Sequence, residues 1–200
     1  MILTDRQTDA LKEVVNIAFS RTAAALSDLT NQRVLLDVPK VSIHEMSKLQ
    51  SVLNGFGKGE IATVHQVFTG PVSGDALLLL DYAGAVMLTD MLTETRTKSQ
   101  KLDASDREVL TEVGNILLNA CLGTFGNMLK VHISFSVPRL RLEELQSMLS
   151  SLLIGEDELR YVLVIYTNFR LRDSAVGGYL VLVLGVASLE RLIEEIEKLG

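Results

Sequence analysis

The sequence predicts an α+β fold of two layers, internally duplicated about a pseudo-two-fold, with two long paired helices on one face of a mostly antiparallel sheet. Three observations carry this expectation. Two long amphipathic stretches, near residues 5–29 and 104–129, open with capping patterns. Each is followed by an extended segment containing a proline and then by two apolar runs of strand length. The same order of elements therefore runs twice along one chain.

The elements follow in order. Thr4-Asp5-Arg6-Gln7 has the form of a capping box, and Leu11, Val14, Val15, Ala18, Ala25, Leu26 and Leu29 give the first helix its apolar stripe. Leu35 to Ile43 reads as extended chain bent around Pro39, and residues 44–54 as mixed or a short helix. Glu60 to Thr69 and Ala76 to Leu80 are strands of a hairpin, joined through Gly70-Pro71-Val72-Ser73-Gly74. Tyr82 to Leu92 is a second helix, and the polar run from Thr93 to Lys101 is a connector. Ser105-Asp106-Arg107-Glu108 repeats the capping pattern and opens a helix to about Leu129. Val131 to Leu142 is extended through Pro138, and Glu143 to Leu153 reads as mixed or helical. Tyr161 to Phe169 and Gly178 to Leu184 are strands, with a turn expected at Gly177-Gly178. Ser188 to Leu199 closes the chain as a helix with Glu194 and Lys198 placed to pair.

The repeat has a register. Glu13 and Glu112, Asn16 and Asn115, and Pro39 and Pro138 all stand 99 residues apart (112 − 13, 115 − 16, 138 − 39). At about one in twenty per identity, three matches at one offset arise by chance about once in 10⁴, before allowing for the search. The matching order of elements makes duplication the better reading. One domain over 1–200, built of two repeats at about 1–98 and 99–200, is expected.

Composition excludes several classes of function. The 200 residues are 48% hydrophobic and 22% charged, enough to bury a core, and the net charge of −6 argues against nucleic-acid or anionic-membrane partners. Cys121 is the one cysteine, which suits a reducing compartment. The start, MILTDRQTDALKEV, lacks the features of a signal peptide, and the longest apolar runs, Ala76 to Leu80 and Tyr179 to Leu184, are far below the roughly 20 residues of a membrane span. A cytoplasmic protein is expected.

Conventional catalytic sets are missing. His44, His65 and His132 have no metal-ligand spacing. Gly55-Phe56-Gly57-Lys58-Gly59 lacks the spacing and the Ser or Thr of a phosphate-binding loop. Cys121 sits mid-helix among Leu117, Leu118 and Leu122 and reads as a small core residue. No metal or cofactor is expected in this chain.

What remains is the repeated Glu-x-x-Asn. Residues at i and i+3 share a helix face, so Glu13 presents a carboxylate beside the carboxamide of Asn16. The opposite face carries Leu11, Val15, Ala18 and Leu26, which leaves the polar pair for solvent or a partner. Ser20, Ala23 and Ser27 continue that side with small residues, and Glu112, Asn115 and Asn119 occupy it in the second helix. One such pair would be an ordinary solvated helix face. Two pairs, locked to prolines at equal distance, are candidate sites.

The pattern resembles the signature of the CheC, CheX and FliY family of chemotaxis phosphatases: Asp or Ser, three residues, Glu, two residues, Asn, twenty-two residues, Pro. Asp9, Glu13, Asn16 and Pro39 match it in full. Glu112, Asn115 and Pro138 match it in the second half, where Glu108 departs from the Asp-or-Ser position. Two sites, and no room for the further C-terminal domain of FliY, point to the CheC type.

The resemblance implies a substrate: a phosphorylated CheY-like response regulator, whose own pocket holds Mg²⁺ and the acyl phosphate. Asn16 and Asn115 would place the attacking water, because a carboxamide can accept a hydrogen bond from it and donate one to the phosphoryl oxygen. Glu13 and Glu112 would pair with the regulator's active-site lysine. The rival reading is a non-catalytic adaptor for the regulator or for the deamidase CheD. With pseudo-symmetry inside the chain, a monomer is expected.

Overall fold

The protein is described by a computed structural model covering residues 3–54, 59–93, 101–128, 130–153, 160–171 and 174–198. The first helix, α1 (Asp5–Thr30), starts at the expected box: Thr4 Oγ1 accepts from the Gln7 amide at 3.2 Å, and Gln7 Oε1 accepts from the Thr4 amide at 2.7 Å. It ends at Asn31, whose φ of 51° is a left-handed conformation that a short polar side chain tolerates. Among the described residues the remaining helices are α2 (Leu49–Val52) behind a 3₁₀ turn at Met46–Lys48, α3 (Tyr82–Thr93), α4 (Ala104–Met128), α5 (Leu145–Leu153) and α6 (Val186–Glu197).

The strands are β1 (Val34–Leu36), β2 (Lys40–Glu45), β3 (Glu60–Thr69), β4 (Gly74–Asp81), β5 (Ser134–Phe135), β6 (Arg139–Glu144), β7 (Arg160–Leu171) and β8 (Ser174–Gly185). They form one sheet in which every pairing is antiparallel. Its middle runs β7-β8-β4-β3. One outer edge is β1 followed by β2, both on β7, and the other is β5 followed by β6, both on β3. Proline has no amide to give a ladder, so Pro39 and Pro138 split each edge into two short strands.

The two edges are registered alike. Leu36 faces Phe169 on one side as Phe135 faces Phe68 on the other. Lys40 faces Tyr166 as Arg139 faces His65. At the centre Leu78 faces Leu180. The buried positions of α1 (Leu11, Val14, Val15, Ala18, Phe19, Thr22 and Leu26) recur in the same order and spacing on α4 (Leu110, Val113, Gly114, Leu117, Leu118, Cys121 and Phe125), which also buries Leu122, Thr124 and Gly126.

Both faces of the sheet are covered, which is why its central strands are apolar without alternation. Ala62, Val64, Leu78, Leu80, Leu163 and Leu182 share one core with α1, α3, α4 and α6. Their neighbours Ile61, Leu77, Leu79, Val162 and Val183 point the other way, onto Met46, Leu49 and Leu53 and onto Met148, Leu149 and Leu152 of α5. The paired helices lie on one face as predicted, and two short helices add a thin layer on the other.

Several local readings change. The cap of α4 is Asp103, not Ser105: Asp106 N donates to Asp103 Oδ1 and Asp103 N to Asp106 Oδ2, each at 2.9 Å. Carboxylates suit this end because they meet unpaired amides and the positive end of the helix dipole. Gly177 and Gly178 are not a turn but paired residues inside β8. A Cβ on Gly178 would come within 2.9 Å of Leu80 and 3.0 Å of Phe169, so glycine serves close packing there. Ala25 is exposed while Phe19 is buried in its stead. Lys198 pairs with Glu195 at 2.7 Å rather than with Glu194. The connector expected over 93–101 falls mostly outside the described residues.

By length and composition α4 would suffice to cross a membrane. Its apolar residues, from Leu110 to Phe125, are instead packed in the main core.

Candidate functional site

α1 packs against α4, and each helix carries one Glu-x-x-Asn. Burial of Val14 and Val15 fixes the roll of α1, so that Glu13 is exposed and Asn16 half-buried. Val113 and Gly114 fix α4 in the same way, leaving Glu112 exposed and Asn115 half-buried. The two pairs lie on open helix surface. A cleft of about 650 Å³ exists elsewhere, lined by Ser73, Asp75, Arg160, Glu190 and their neighbours, and no motif residue borders it.

The carboxamides differ in their surroundings. Asn119 donates Nδ2–H to Asn115 Oδ1 at 2.7 Å. On α1 the residue one turn after Asn16 is Ser20, whose hydroxyl bonds the backbone carbonyl of Asn16 at 2.9 Å and leaves the carboxamide alone. Ser27, expected on the open side, is spent inside the fold: its hydroxyl accepts from the Val34 amide at 3.0 Å and ties α1 to β1.

The supporting residues do different work. Asp9 is exposed and reaches Lys12 at 3.3 Å. Glu108 is exposed and is not needed at the helix start, which Asp103 and Asp106 already cap. Pro39 is buried and Pro138 half-buried, each just after a clamped break in its edge. In the first, the Asp37 amide donates to Asn168 O at 3.1 Å and Thr167 Oγ1 to Asp37 O at 2.9 Å. In the second, the Ser136 amide donates to Val67 O at 2.9 Å and Gln66 Nε2 to Ser136 O at 2.8 Å. The Asp37 carboxylate also binds Arg170, with Nε 2.6 Å from Oδ1, and Asn168 Nδ2 at 3.0 Å. The hydrogen bonds from Arg170 and Asn168 hold its carboxyl below the ordinary value.

Sequence reasoning missed this clamp, although the 99-residue register does place Asp37 opposite Ser136. It also gave no role to Gly114, where any side chain would strike Val64 of β3.

The other candidates are accounted for by packing. His65 Nε2 meets Asp75 at 2.7 Å, and His44 bonds Ser42 at 2.9 Å. Among the described residues no three of His, Cys, Asp and Glu converge as a ligand set. Cys121 is buried, which pushes its thiol up to about 12 and keeps it protonated at neutral pH.

Residues 7–43, which hold the whole first motif from Asp9 to Pro39, match the model of the CheC-like family. The chain is 24% identical over 159 residues to the flagellar motor switch phosphatase FliY of Bacillus subtilis, covering 78% of this chain and 41% of that protein. It is 23% identical over 151 residues to the CheY-P phosphatase CheC of Bacillus subtilis, covering 74% and 72%. In sequence the chain is thus similar to the CheC/FliY family, most specifically across its first motif.

The fold agrees with the family. The crystal structure of Thermotoga maritima FliY superposes with a TM-score of 0.81 at 20% identity, covering 100% of both chains. The matched stretch spans about two fifths of the length of Bacillus subtilis FliY, and the FliY and CheC of that organism match the chain about equally in sequence.

Proposed function

We propose that this chain is a CheC-like phosphatase that hydrolyses the aspartyl phosphate of a CheY-like chemotaxis response regulator. The observation that carries the reading is the placement of Glu13 with Asn16 and of Glu112 with Asn115 at matching positions on two helices packed together. Open helix surface suits a protein substrate better than a small molecule, which favours an enclosing cleft. The two relatives named as phosphatases, one of them for CheY-P, support the same reading.

The roles follow from the chemistry. Each asparagine accepts a hydrogen bond from the attacking water and donates one to a phosphoryl oxygen, so that the water stands in line with the scissile bond. Each glutamate pairs with a lysine of the regulator and fixes the register of docking. An exposed carboxylate is a weak base at neutral pH, so positioning carries the rate rather than proton abstraction. Mg²⁺ belongs to the regulator and the chain supplies no metal. The protein acts in the cytoplasm as a monomer of two repeats.

The test is dephosphorylation of a phosphorylated CheY-like protein with and without the chain. A variant carrying both Asn16→Ala and Asn115→Ala is expected to lose the acceleration while still binding the regulator. Full activity in that variant overturns catalysis and leaves the adaptor reading, with the regulator or CheD as ligand.

A further inference from the structure

The two motif asparagines are alike in sequence, but among the described residues only one has a side-chain neighbour that grips it. Asn115 Oδ1 accepts from Asn119 Nδ2 at 2.7 Å. Asn119 carries a cost in this arrangement, since its own Oδ1 is buried without a partner among the described residues. A buried, unpaired amide oxygen is unfavourable, and such costs collect at functional sites. At the matching place on α1, Ser20 uses its hydroxyl on the Asn16 backbone carbonyl. Serine is too short to pair with a side chain one turn back and bond the backbone at once.

Resting on the phosphatase reading above, we propose that Asn119 is a positioning residue for the second site, holding the Asn115 carboxamide in its working orientation. An amide oxygen has two lone pairs. With one occupied by Asn119, the other is left for the attacking water, and the Asn115 Nδ2 group is left to donate to a phosphoryl oxygen. Without that grip the carboxamide can turn end for end about its terminal torsion, which is broad and roughly two-fold. In half of its orientations it would then offer the water a donor where an acceptor is needed. Among the described residues nothing restrains the Asn16 carboxamide in this way, so the first site must be organised by the bound regulator.

A double-mutant cycle on the full chain tests this. In an Asn16→Ala background, where only the second site works, Asn119→Ala should lower kcat about 3- to 10-fold with KM for the phosphorylated regulator unchanged, the fold-change of one lost neutral hydrogen bond. In an Asn115→Ala background the same substitution should change neither kcat nor KM. Asn119→Ser, which installs the residue found on α1, should behave as Asn119→Ala. Equal rate losses in both backgrounds would mean that Asn119 serves only the fold, and would overturn the proposal. No loss in the Asn16→Ala background would also overturn it. Failure of the phosphatase reading looks different: full activity when both Asn16 and Asn115 are alanine.

Discussion

Gly114 lies flat against Val64: a Cβ on Gly114 would stand 2.5 Å from Val64 Cγ1, 2.7 Å from its Cβ and 2.9 Å from Cγ2. Val64 is a branched side chain on a central strand and cannot swing aside. The absent side chain therefore sets the height of α4 over the sheet, one residue before Asn115. Gly114→Ala should destabilise the protein by about 1–3 kcal/mol through overpacking. It should also slow the second site more than the first. Gly123, in the same helix, meets nothing within 4 Å. There alanine should stabilise by about 0.5–1 kcal/mol. Denaturant midpoints for the two variants check both signs.

The two sites should share the work. Asn16→Ala and Asn115→Ala are each expected to leave partial activity, because the other pair remains. The doubly substituted chain should fall by about 10²–10³ in rate, the usual loss for one positioned hydrogen-bonding group. Single-turnover rates on a phosphorylated regulator give the comparison.

Glu13→Lys and Glu112→Lys should weaken regulator binding more than either asparagine change does. Under the proposed mechanism they would set a cation against the regulator's lysine, while the asparagines would act mainly in the transition state. Both glutamates are exposed, so their loss should leave the thermal midpoint nearly unchanged. Parallel titration and melting measurements separate the effects.

The Asp37–Arg170 clamp predicts a pH dependence of stability. The Asp37 carboxyl is held below its ordinary value of 3.8, first by Arg170 and then by Asn168. A depressed carboxylate stabilises the fold fully above the unfolded value of 3.8 and loses that stabilisation as pH falls through the lower, folded value. Asp37→Asn should melt earlier than the parent at pH 7, and the difference should close as the pH drops well below 3.8. Melting curves across that range decide it.

Cys121 should resist modification in the native state. With its thiol pushed up to about 12 by complete burial, a thiol reagent at pH 8 should react slowly until the protein is unfolded. Fast native labelling would contradict the packing described around α4.

Much of this molecule is legible without coordinates, for identifiable reasons. The Thr4–Gln7 box, the span Glu60–Thr69 and the helix from Tyr82 are written in local chemistry, and the structure has them in those places. So is the polar face bearing Glu13, Asn16, Glu112 and Asn115, since helical spacing fixes which residues share a side. Contacts between distant segments were not legible. Gly177-Gly178 looks like a turn to any local reading, yet it belongs to β8 because Leu80 and Phe169 need its space.

The order of elements, the 99-residue register and the two Glu-x-x-Asn faces are properties of the sequence itself, because each depends only on spacing along the chain. The tertiary structure decided what those spacings could not: that Asp37 and Ser136 clamp equivalent breaks across the sheet, and that Gly114 yields to Val64. It also showed that Asn119 grips Asn115 while Ser20 turns to the backbone. Neighbours one helical turn apart can be named from sequence, but which hydrogen bond forms depends on burial, which the whole fold sets.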